Sequence, residues 1–324
     1  MLSFESIQAD VEKWLAEIDY GKEPQNLYDP IRYSMSLGGK RLRPALCLAT
    51  CGLFKDDYKQ AKWPALALEV FHNFTLLHDD VMDKATIRRG KPTVASKYGL
   101  NTAILSGDAM LIEAYRLLQL TDSPSFSLIT DAFNQVAREV CEGQQLDMDF
   151  ETRDDVTPAE YLEMIRLKTA VLLATSIKIG ALVGGATAQE TQSLYDYGIL
   201  IGLAFQLQDD ILDSFGDPQT FGKAIGGDIM ENKKTFLLLK AHEGADAQQR
   251  RELQAWMTNP EAVREEKVEA VKNIFEVTGA KDAAQQKVEQ LFDEAMSKLR
   301  EMEIPAEGKR YFIDYANKLF KRDK

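Results

Sequence analysis

Two apolar stretches of the sequence, Val70–Leu77 and Ile199–Leu207, each lead into the same acidic pattern, D-D-x-x-D. The aspartates of the two patterns are Asp79, Asp80 and Asp83, and Asp209, Asp210 and Asp213. Residues four apart share a helix face, so the outer carboxylates of each pattern point the same way and repel one another. Such charge is costly to bury unless it is paired or binds a metal. Mg²⁺ prefers oxygen ligands and commonly combines one or two carboxylates with substrate phosphates. The repeat therefore predicts a Mg²⁺-diphosphate site held from two helices, whereas a single triplet would often be a solvated helix face.

Basic segments near the acidic patterns indicate where phosphates would bind. The segment Gly38–Arg43 reads GGKRLR at a predicted helix start. Glycine lets backbone N–H groups approach an anion there, and the helix N-terminus adds partial positive charge. The segment Arg88–Gly90 follows the first acidic pattern, and each of its two guanidinium groups can hold a phosphate by forked hydrogen bonds. For the Gly38–Arg43 segment, a solvated basic turn is the structural alternative.

Further basic residues occur in apolar or glycine-rich surroundings. Lys168 interrupts an apolar helical pattern, so it is predicted to have a phosphate partner unless its head group reaches solvent along an apolar stem. The segments Phe221–Asp228 and Asn232–Thr235 combine glycine-rich backbone with lysines, an arrangement that suits phosphate. His72 lies two helical turns before the first acidic pattern, where it is either a core residue or part of the anion site.

The composition bounds the class of protein. The chain has 324 residues, is 45% hydrophobic and 28% charged, and has a net charge of −12. These values are typical of a globular protein with a large core, and the charge argues against nucleic acid and anionic membrane surfaces as general partners. We find no linker, and so predict one domain over residues 1–324. The three cysteines, Cys47, Cys51 and Cys141, are predicted to be reduced thiols in the core, which favours a cytoplasmic location.

No signal peptide is predicted at the N-terminus, and no membrane span is predicted. The most apolar stretch, 171–186, is interrupted by Lys178.

The long segments of the sequence follow a helical period, and no alternating strand pattern is found. The fold is therefore predicted to be all-α. Predicted helices cover 3–19, 31–37, 44–53, 63–81, 101–120, 125–148, 158–173 and 191–212, followed by three or four helices after residue 235. Small residues at Gly180–Gly185 predict a hinge between two of them. No catalytic residue is predicted after residue 235.

The combination of these motifs resembles the trans-isoprenyl diphosphate synthases of the polyprenyl synthetase family. The shared motifs are Gly38–Pro44, His78–Asp83, Arg88–Gly90, Lys168-Thr169, Phe205-Gln206, Asp209–Asp213 and Lys233. Each motif alone is weak, but the set in this order and spacing is specific. The resemblance implies an all-α isoprenoid-synthase-type helical bundle around a deep central cavity, in a homodimer.

The resemblance also implies roles for individual residues. The implied Mg²⁺ ligands are Asp79, Asp80 and Asp83, with Asp209 and Asp213 on the other side of the cavity. The implied partners of the allylic diphosphate are Arg88, Lys168, Lys223 and Lys233, with Thr169 and Gln206 nearby. The implied partners of isopentenyl diphosphate are Lys40, Arg43, His72 and Arg89. The chain departs from many members at Gly226-Gly227-Asp228, where they carry a lysine before the aspartate.

The implied reaction is a condensation of isopentenyl diphosphate with an allylic diphosphate. Cations stabilise the departing diphosphate, and the allylic cation is attacked by the double bond of isopentenyl diphosphate. The predicted product has fifteen or twenty carbons. Its tail would run along the helix before Asp79, where Phe74 and Phe71 are predicted to limit its length and the small Thr75 leaves room. By analogy, an aromatic residue five positions before an uninterrupted D-D-x-x-D favours twenty carbons.

Three other functions would each account for part of this pattern. A class I terpene cyclase shares the ionisation chemistry but normally carries a different second motif from Asp209–Asp213. A non-catalytic subunit of a heteromeric synthase often loses an acidic motif, and this chain keeps both. A helical scaffold that binds Mg²⁺ incidentally leaves the coincident basic motifs without an explanation.

Overall fold

Helices make up almost all of the protein, as predicted. A computed structural model describes residues 3–217 and 225–320. Within these ranges the only strands are a two-stranded antiparallel hairpin, β1 (Ile87–Arg88) and β2 (Lys91–Pro92). The helices are α1 (Phe4–Ala16), α2 (Gln25–Ser36), α3 (Leu42–Phe54), α4 (Lys62–Met82), α5 (Val94–Tyr98), α6 (Leu100–Leu118), α7 (Phe126–Thr152), α8 (Pro158–Ile165), α9 (Val171–Gly184), α10 (Ala188–Phe215), α11 (Gly227–Met230), α12 (Phe236–Gly244), α13 (Ala247–Thr258), α14 (Arg264–Val277), α15 (Ala280–Glu301) and α16 (Ala306–Phe320). A 3₁₀ turn (Tyr58–Ala61) precedes α4, and a π-helical turn (Arg166–Ala170) joins α8 to α9.

The chain forms two compact units. The first consists of Met1–Phe133 and Ser176–Thr191, and the second of Asn134–Thr175 and Gln192–Lys324. Each unit has its own buried core, described below. The single domain over residues 1–324 stays a prediction.

The core of the first unit is built on α4. This helix is buried along most of its length, from Pro64 to Phe74, and packs on α3 and α6. The apolar run that the sequence places before the first acidic pattern is therefore a core helix. Its last turn carries Asp79 and Asp80, and the side chain of Asp80 is still buried.

Close helix packing explains the small residues near the end of α9. A Cβ atom at Gly180 would lie 2.1 Å from the carbonyl oxygen of Cys47, and one at Gly184 would lie 2.9 Å from Cβ of Phe54. The prediction of a hinge at Gly180–Gly185 is thus wrong, because α9 continues to Gly184 and its glycines allow it to approach α3. Cys47 and Cys51 of α3 are free and buried, as predicted, whereas Cys141 is free but exposed, so its prediction as a core thiol is wrong.

The core of the second unit joins α8, α10, α12, α14 and α15 through buried apolar side chains such as Ile165, Leu207 and Phe275. Thr157 caps α8 in a reciprocal capping box with Glu160, and Pro158 occupies the first helical turn. Both features are common at the start of a helix.

Other boundaries differ from the predictions. The helix predicted over 31–37 begins at Gln25 and includes Pro30, a residue that normally argues against a helix interior. The helix predicted over 158–173 is divided by the π-helical turn. Five helices, α12–α16, follow residue 235 within the described chain, one more than the upper number predicted.

One helical stretch, Pro158–Gly184, has the length and hydropathy of a membrane-crossing segment, which the sequence analysis did not expect. However, 83% of its most apolar window is buried inside the protein. Burial of that kind is typical of a core helix.

Candidate functional site

The first acidic pattern is held by an arginine from the β-hairpin. Arg88 Nε donates a hydrogen bond to Asp80 Oδ1 at 2.7 Å, and Arg88 Nη2 donates one to Asp79 Oδ2 at 3.2 Å. Arg88 reaches them because the chain turns back through a two-residue loop, Arg89-Gly90, in which both φ angles are positive (53° and 73°). Such a loop has the backbone of a type I′ hairpin turn. The sequence analysis treated this segment as a loop and missed the hairpin.

The carboxyl group of Asp80 is buried, which disfavours its ionised form. Burial raises the pKa of Asp80, and this effect outweighs the opposite effect of the guanidinium of Arg88. Asp83 lies just after the last residue of α4, where its backbone N–H donates to the carbonyl oxygen of Asp79 at 2.9 Å, and its side chain is exposed. The first pattern therefore has two aspartates that share one arginine, with the third at the helix end.

One of the three cations predicted in the Gly38–Arg43 segment has a structural role. Arg41 is 4% exposed. Its Nη1 lies 2.7 Å from Glu69 Oε1, and its Nε lies 2.9 Å from Glu12 Oε1. Arg41 also donates to the carbonyl oxygen of Met35. The prediction of a three-cation anion site is corrected, because Arg41 is buried between carboxylates.

Three other basic residues predicted for this site, Arg43, His72 and Arg89, lie near one another. Arg43 Nη1 lies 3.1 Å from His72 Nε2. Burial, with Arg43 and Arg89 nearby, lowers the pKa of His72 well below its ordinary range. His72 is thus neutral and accepts from Arg43. A Cβ atom at Gly39 would lie 3.1 Å from Arg89 Nη1, so the missing side chain makes room for that guanidinium group. Gly39 is followed by Lys40, which is exposed.

The predicted chain-length residues form an aromatic row on α4. The ring centroids of Phe71 and Phe74 are 5.6 Å apart, and the Phe74 ring packs edge-on against His78 at 4.8 Å. The hydroxyl group of Thr75 donates a hydrogen bond to the carbonyl oxygen of His72, in the preceding turn of the same helix. His78, to which the motif His78–Asp83 assigned no role of its own, fits in the space left by Gly107, because a Cβ atom there would lie 2.2 Å from His78 Nε2.

The second acidic pattern is buried more deeply. Asp210 is 5% exposed. It accepts a short hydrogen bond from the hydroxyl of Tyr161 and one from Gln206 Nε2 at 3.1 Å. Gln206 in turn accepts from Thr169 Oγ1 at 3.2 Å. Burial, followed by the negative charge of Asp228, raises the pKa of Asp210 well above its ordinary range. The sequence analysis found Thr169 and Gln206 but missed Tyr161.

The outer aspartate of this pattern organises the segment that carries Lys233. Asp213 Oδ2 accepts from the backbone N–H of Asp228 at 2.9 Å, and the carbonyl oxygen of Asp213 accepts from Gly226. Burial and the negative charge of Asp213 raise the pKa of Asp228 to about 7. Lys233 Nζ lies 3.3 Å from Glu231 and 3.8 Å from Asp228. Asp228 is thus a further acidic member of the site, which the sequence analysis noted only as part of a glycine-rich loop.

Lys168 lies within the π-helical turn that joins α8 to α9. Its Nζ lies 2.6 Å from Asp147 Oδ2, in an ion pair that is about three-quarters buried. A Cβ atom at Gly143 would lie 2.3 Å from the backbone nitrogen of Lys168, so glycine lets α7 approach the turn directly. π-Helical turns are rare and occur often at functional sites. Lys223, predicted to bind the allylic diphosphate, lies outside the described residues.

The acidic residues fit a divalent cation that arrives with its phosphate ligands. Among the residues that the structure describes, no three His, Cys, Asp or Glu side chains are arranged to hold an ion by themselves. Burial is the main cause of the raised pKa values of Asp80, Asp210 and Asp228, and a cation bound beside such a carboxyl group would favour its ionised form. Oxygen donors in this state suit Mg²⁺, which usually keeps several water or phosphate ligands.

Comparison with known proteins gives one consistent result. The sequence matches the polyprenyl synthetase family over residues 24–276. It is 38% identical over 316 residues to a geranylgeranyl pyrophosphate synthase of Geoglobus acetivorans, covering 97% of this chain and 96% of that protein. Relatives from Natronomonas pharaonis and Mycobacterium bovis are named a geranylfarnesyl diphosphate synthase and a (2E,6E)-farnesyl diphosphate synthase.

Solved structures agree with the sequence matches. A crystal structure of a geranylgeranyl pyrophosphate synthase, 46% identical, superposes with a TM-score of 0.94 over 100% of both chains. A geranylgeranyl pyrophosphate synthase of Corynebacterium glutamicum, in complex with isoprenyl diphosphate and magnesium, is 27% identical and superposes with a TM-score of 0.86 over 98% of both chains.

Proposed function

The chain belongs to the polyprenyl synthetase family, and on this basis we propose that it is a trans-prenyltransferase. It condenses isopentenyl diphosphate with an allylic diphosphate and gives an all-trans prenyl diphosphate of fifteen or twenty carbons. The relatives with geranylgeranyl, geranylfarnesyl and farnesyl products bracket this length. The terpene cyclase and scaffold alternatives lose support, because none of these relatives is named a cyclase.

The observation that carries this proposal is the sharing of Arg88 between Asp79 and Asp80. A diphosphate ester carries several negative charges, so its departure as a leaving group needs cations on its oxygens. An arginine held beside two carboxylates provides a guanidinium fork for phosphate oxygens and oxygen ligands for a divalent ion in one place. The lysine on the π-helical turn, Lys168, is likewise held beside a carboxylate. This pairing of opposite charges suits a metal-diphosphate ligand better than a solvated surface.

The cofactor is proposed to be Mg²⁺, with Asp79, Asp80, Asp83, Asp209 and Asp213 as the candidate ligands. When bound, a divalent ion neutralises charge on the leaving diphosphate. The magnesium in the Corynebacterium glutamicum enzyme supports this choice. Asp213 accepts a hydrogen bond from the backbone N–H of Asp228, so a metal ion bound to Asp213 would compete with that hydrogen bond.

Basic side chains of the protein bind the two diphosphates and stabilise the one that leaves. The allylic C–O bond breaks, and the bonding electrons leave with diphosphate, whose charge Arg88, Lys168 and Lys233 stabilise. The double bond of isopentenyl diphosphate then forms the new C–C bond, and a proton is lost to the released diphosphate. Isopentenyl diphosphate is proposed to bind Lys40, Arg43, His72 and Arg89. The neutral state of His72 leaves the positive charge on the neighbouring arginines, where a phosphate needs it.

Product length is proposed to be set by Phe74. Its ring is 8% exposed and is supported from one side by Phe71 and from the other by His78. An aromatic ring that is braced on both sides cannot easily turn aside for a longer tail. This arrangement supports a twenty-carbon product over longer ones.

A homodimer is proposed as the active form, in the cytoplasm. The exposed apolar side chains of α6 support the dimer: Leu105 is 59% exposed and Ile112 is 70% exposed. Leu100 and Ile104 add to the same helix. Apolar exposure on this scale is typical of a protein interface. Light scattering after gel filtration tests it, and a monomer in solution would contradict it.

The function is tested by the products of the purified protein. The protein is incubated with Mg²⁺, isopentenyl diphosphate and each allylic primer in turn, and the products are separated by chromatography. A discrete fifteen- or twenty-carbon diphosphate is expected, and Asp79→Asn should abolish it. Hydrocarbon formed from an allylic diphosphate alone would indicate a cyclase. An intact, folded protein that forms no product would indicate a non-catalytic subunit.

A further inference from the structure

A buried lysine on α14 lies outside every motif considered above. Lys267 is 3% exposed. Its Nζ donates to the side-chain oxygen of Asn232 at 2.6 Å, and within the described chain no ion pair to a carboxylate accompanies this bond. Burying an ammonium group against a neutral amide is costly, and burial lowers the pKa of Lys267. A methionine or leucine would fill the same space at less cost, so this lysine needs an explanation.

The residue that accepts the hydrogen bond from Lys267, Asn232, lies at a turn of the backbone. Asn232 has a φ of 56°, in the left-handed region that few residues other than glycine and asparagine adopt. Its N–H donates to the carbonyl oxygen of Ile229, and the next N–H, that of Lys233, donates to the carbonyl oxygen of Asp228. Asn232 is therefore the residue at which the chain leaves α11 and turns Lys233 back toward Asp228.

Helix α14 holds this segment at its other end as well. Arg264 Nη2 donates to the carbonyl oxygen of Ile225 at 2.9 Å. A Cβ atom at Gly226 would lie 2.5 Å from Cγ2 of Val268, so the backbone rests directly on that side chain. Arg264, Lys267 and Val268 are spaced by three and four residues and so share one helix face. This face fixes the segment from residue 225 to residue 232 at both ends.

We propose that Lys267 is a positioning residue for the allylic diphosphate. By holding the side chain of Asn232, it fixes the turn that places Lys233 beside Asp228. Lys267 does not touch the substrate in this proposal, and the inference rests on the proposed function. The hydrogen bond of a charged donor to a fixed amide is stronger and more directional than an apolar contact. A directional hydrogen bond can fix the position of a phosphate-binding lysine. An apolar contact would be enough to stabilise an ordinary core.

Two variants test the bond from its two sides. Lys267→Met removes the donor and keeps the stem, and Asn232→Gly removes the acceptor and keeps a residue suited to positive φ. Each is expected to raise the KM for the allylic diphosphate by about tenfold, because Lys233 would no longer be held in position to bind it; that change corresponds to about 1.4 kcal/mol of binding free energy. The KM for isopentenyl diphosphate should stay within about twofold of the wild-type value, since its proposed partners lie on other elements.

Further variants separate positioning from folding. Asn232→Asp keeps an acceptor for Lys267 and tolerates the left-handed backbone, so its allylic KM should remain near that of the wild type. The double variant Lys267→Met, Asn232→Gly should be no worse than either single variant, because both remove the same bond. Lys287→Met is the matched control, because Lys287 also donates to a side-chain amide oxygen, that of Gln290, but on the exposed surface. It should leave both KM values unchanged.

The outcomes distinguish this inference from the proposed function. A wild-type protein that forms no prenyl product overturns both. An active wild type in which Asn232→Gly leaves the allylic KM unchanged overturns the positioning role alone, whatever Lys267→Met does to folding. Equal rises in both KM values, or a lower melting temperature with unchanged KM values, would show that Lys267 is only structural.

Discussion

Asp228 predicts an unusual dependence of stability on pH. Burial and the charge of Asp213 raise its pKa from an ordinary value of 3.8 to about 7. The folded protein therefore holds this proton more tightly than the unfolded chain does. Between about pH 4 and pH 7 the folded state binds more protons than the unfolded state, so the free energy of unfolding must fall as the pH rises through that window.

The size of the effect follows from the two pKa values. Raising the pH from 5 to 8 ionises Asp228 in the folded state, whereas in the unfolded chain it is ionised throughout. The free energy of unfolding should then decrease by up to about 2.6 kcal/mol from this group alone. Asp228→Asn keeps the shape of the side chain and does not titrate, so the loss should be absent from that variant.

The measurement is urea unfolding followed by circular dichroism at pH 5, 6, 7 and 8, with a chelator present to remove divalent ions. The quantity of interest is the difference between the wild type and Asp228→Asn at each pH, which cancels the titration of other groups. The wild type should lose stability relative to the variant as the pH rises. A difference that stays constant from pH 5 to 8 would refute the reasoning. Adding Mg²⁺ with an allylic diphosphate at pH 8 should restore stability to the wild type, because a bound cation favours the ionised carboxylate.

Three more predictions concern other parts of the protein. Phe74→Ala should shift the products to longer chains in the chromatographic assay, and unchanged length would show that Phe74 is ordinary core. Arg41→Met should lower the free energy of unfolding by about 3–5 kcal/mol in urea, because it leaves Glu69 as an uncompensated buried charge; a loss below about 1 kcal/mol would contradict the buried ion pair. Gly143→Ala should displace the backbone of Lys168 and reduce kcat/KM for the allylic substrate at least tenfold, an expectation that a wild-type value would disprove.

Local patterns in the sequence were enough to predict the helices and the two acidic patterns. The apolar run before Asp79 has a clear helical period, and carboxylates at its end have few explanations other than a charged ligand. The capping box at Thr157 likewise depends on residues three apart. Features of this kind depend on residues that are close together along the chain, so they can be predicted from the sequence alone.

Features that depend on distant contacts were missed or misread. Tyr161 binds Asp210 from 49 residues away, and nothing near either residue indicates that they meet. Arg41 looked like part of an anion site because its neighbours are basic, but Glu69, 28 residues away, determines its role. Gly180 was interpreted as part of a hinge because glycine is flexible. Its structural role is instead to leave room for the backbone of Cys47, since it has no side chain.

The π-helical turn at Arg166–Ala170 has a consequence for the length of the chain. A π turn takes up about one residue more than an α turn, so the side chains after it are rotated by about 100° relative to a continuous helix. Deleting one residue here would restore a regular helix but would turn the face of α8 away from the core that it now fills. Inserting one would do the same in the opposite direction. Natural relatives should therefore vary in residue type within 166–170 but keep its length, and an engineered one-residue deletion should be more damaging than any single substitution in the turn.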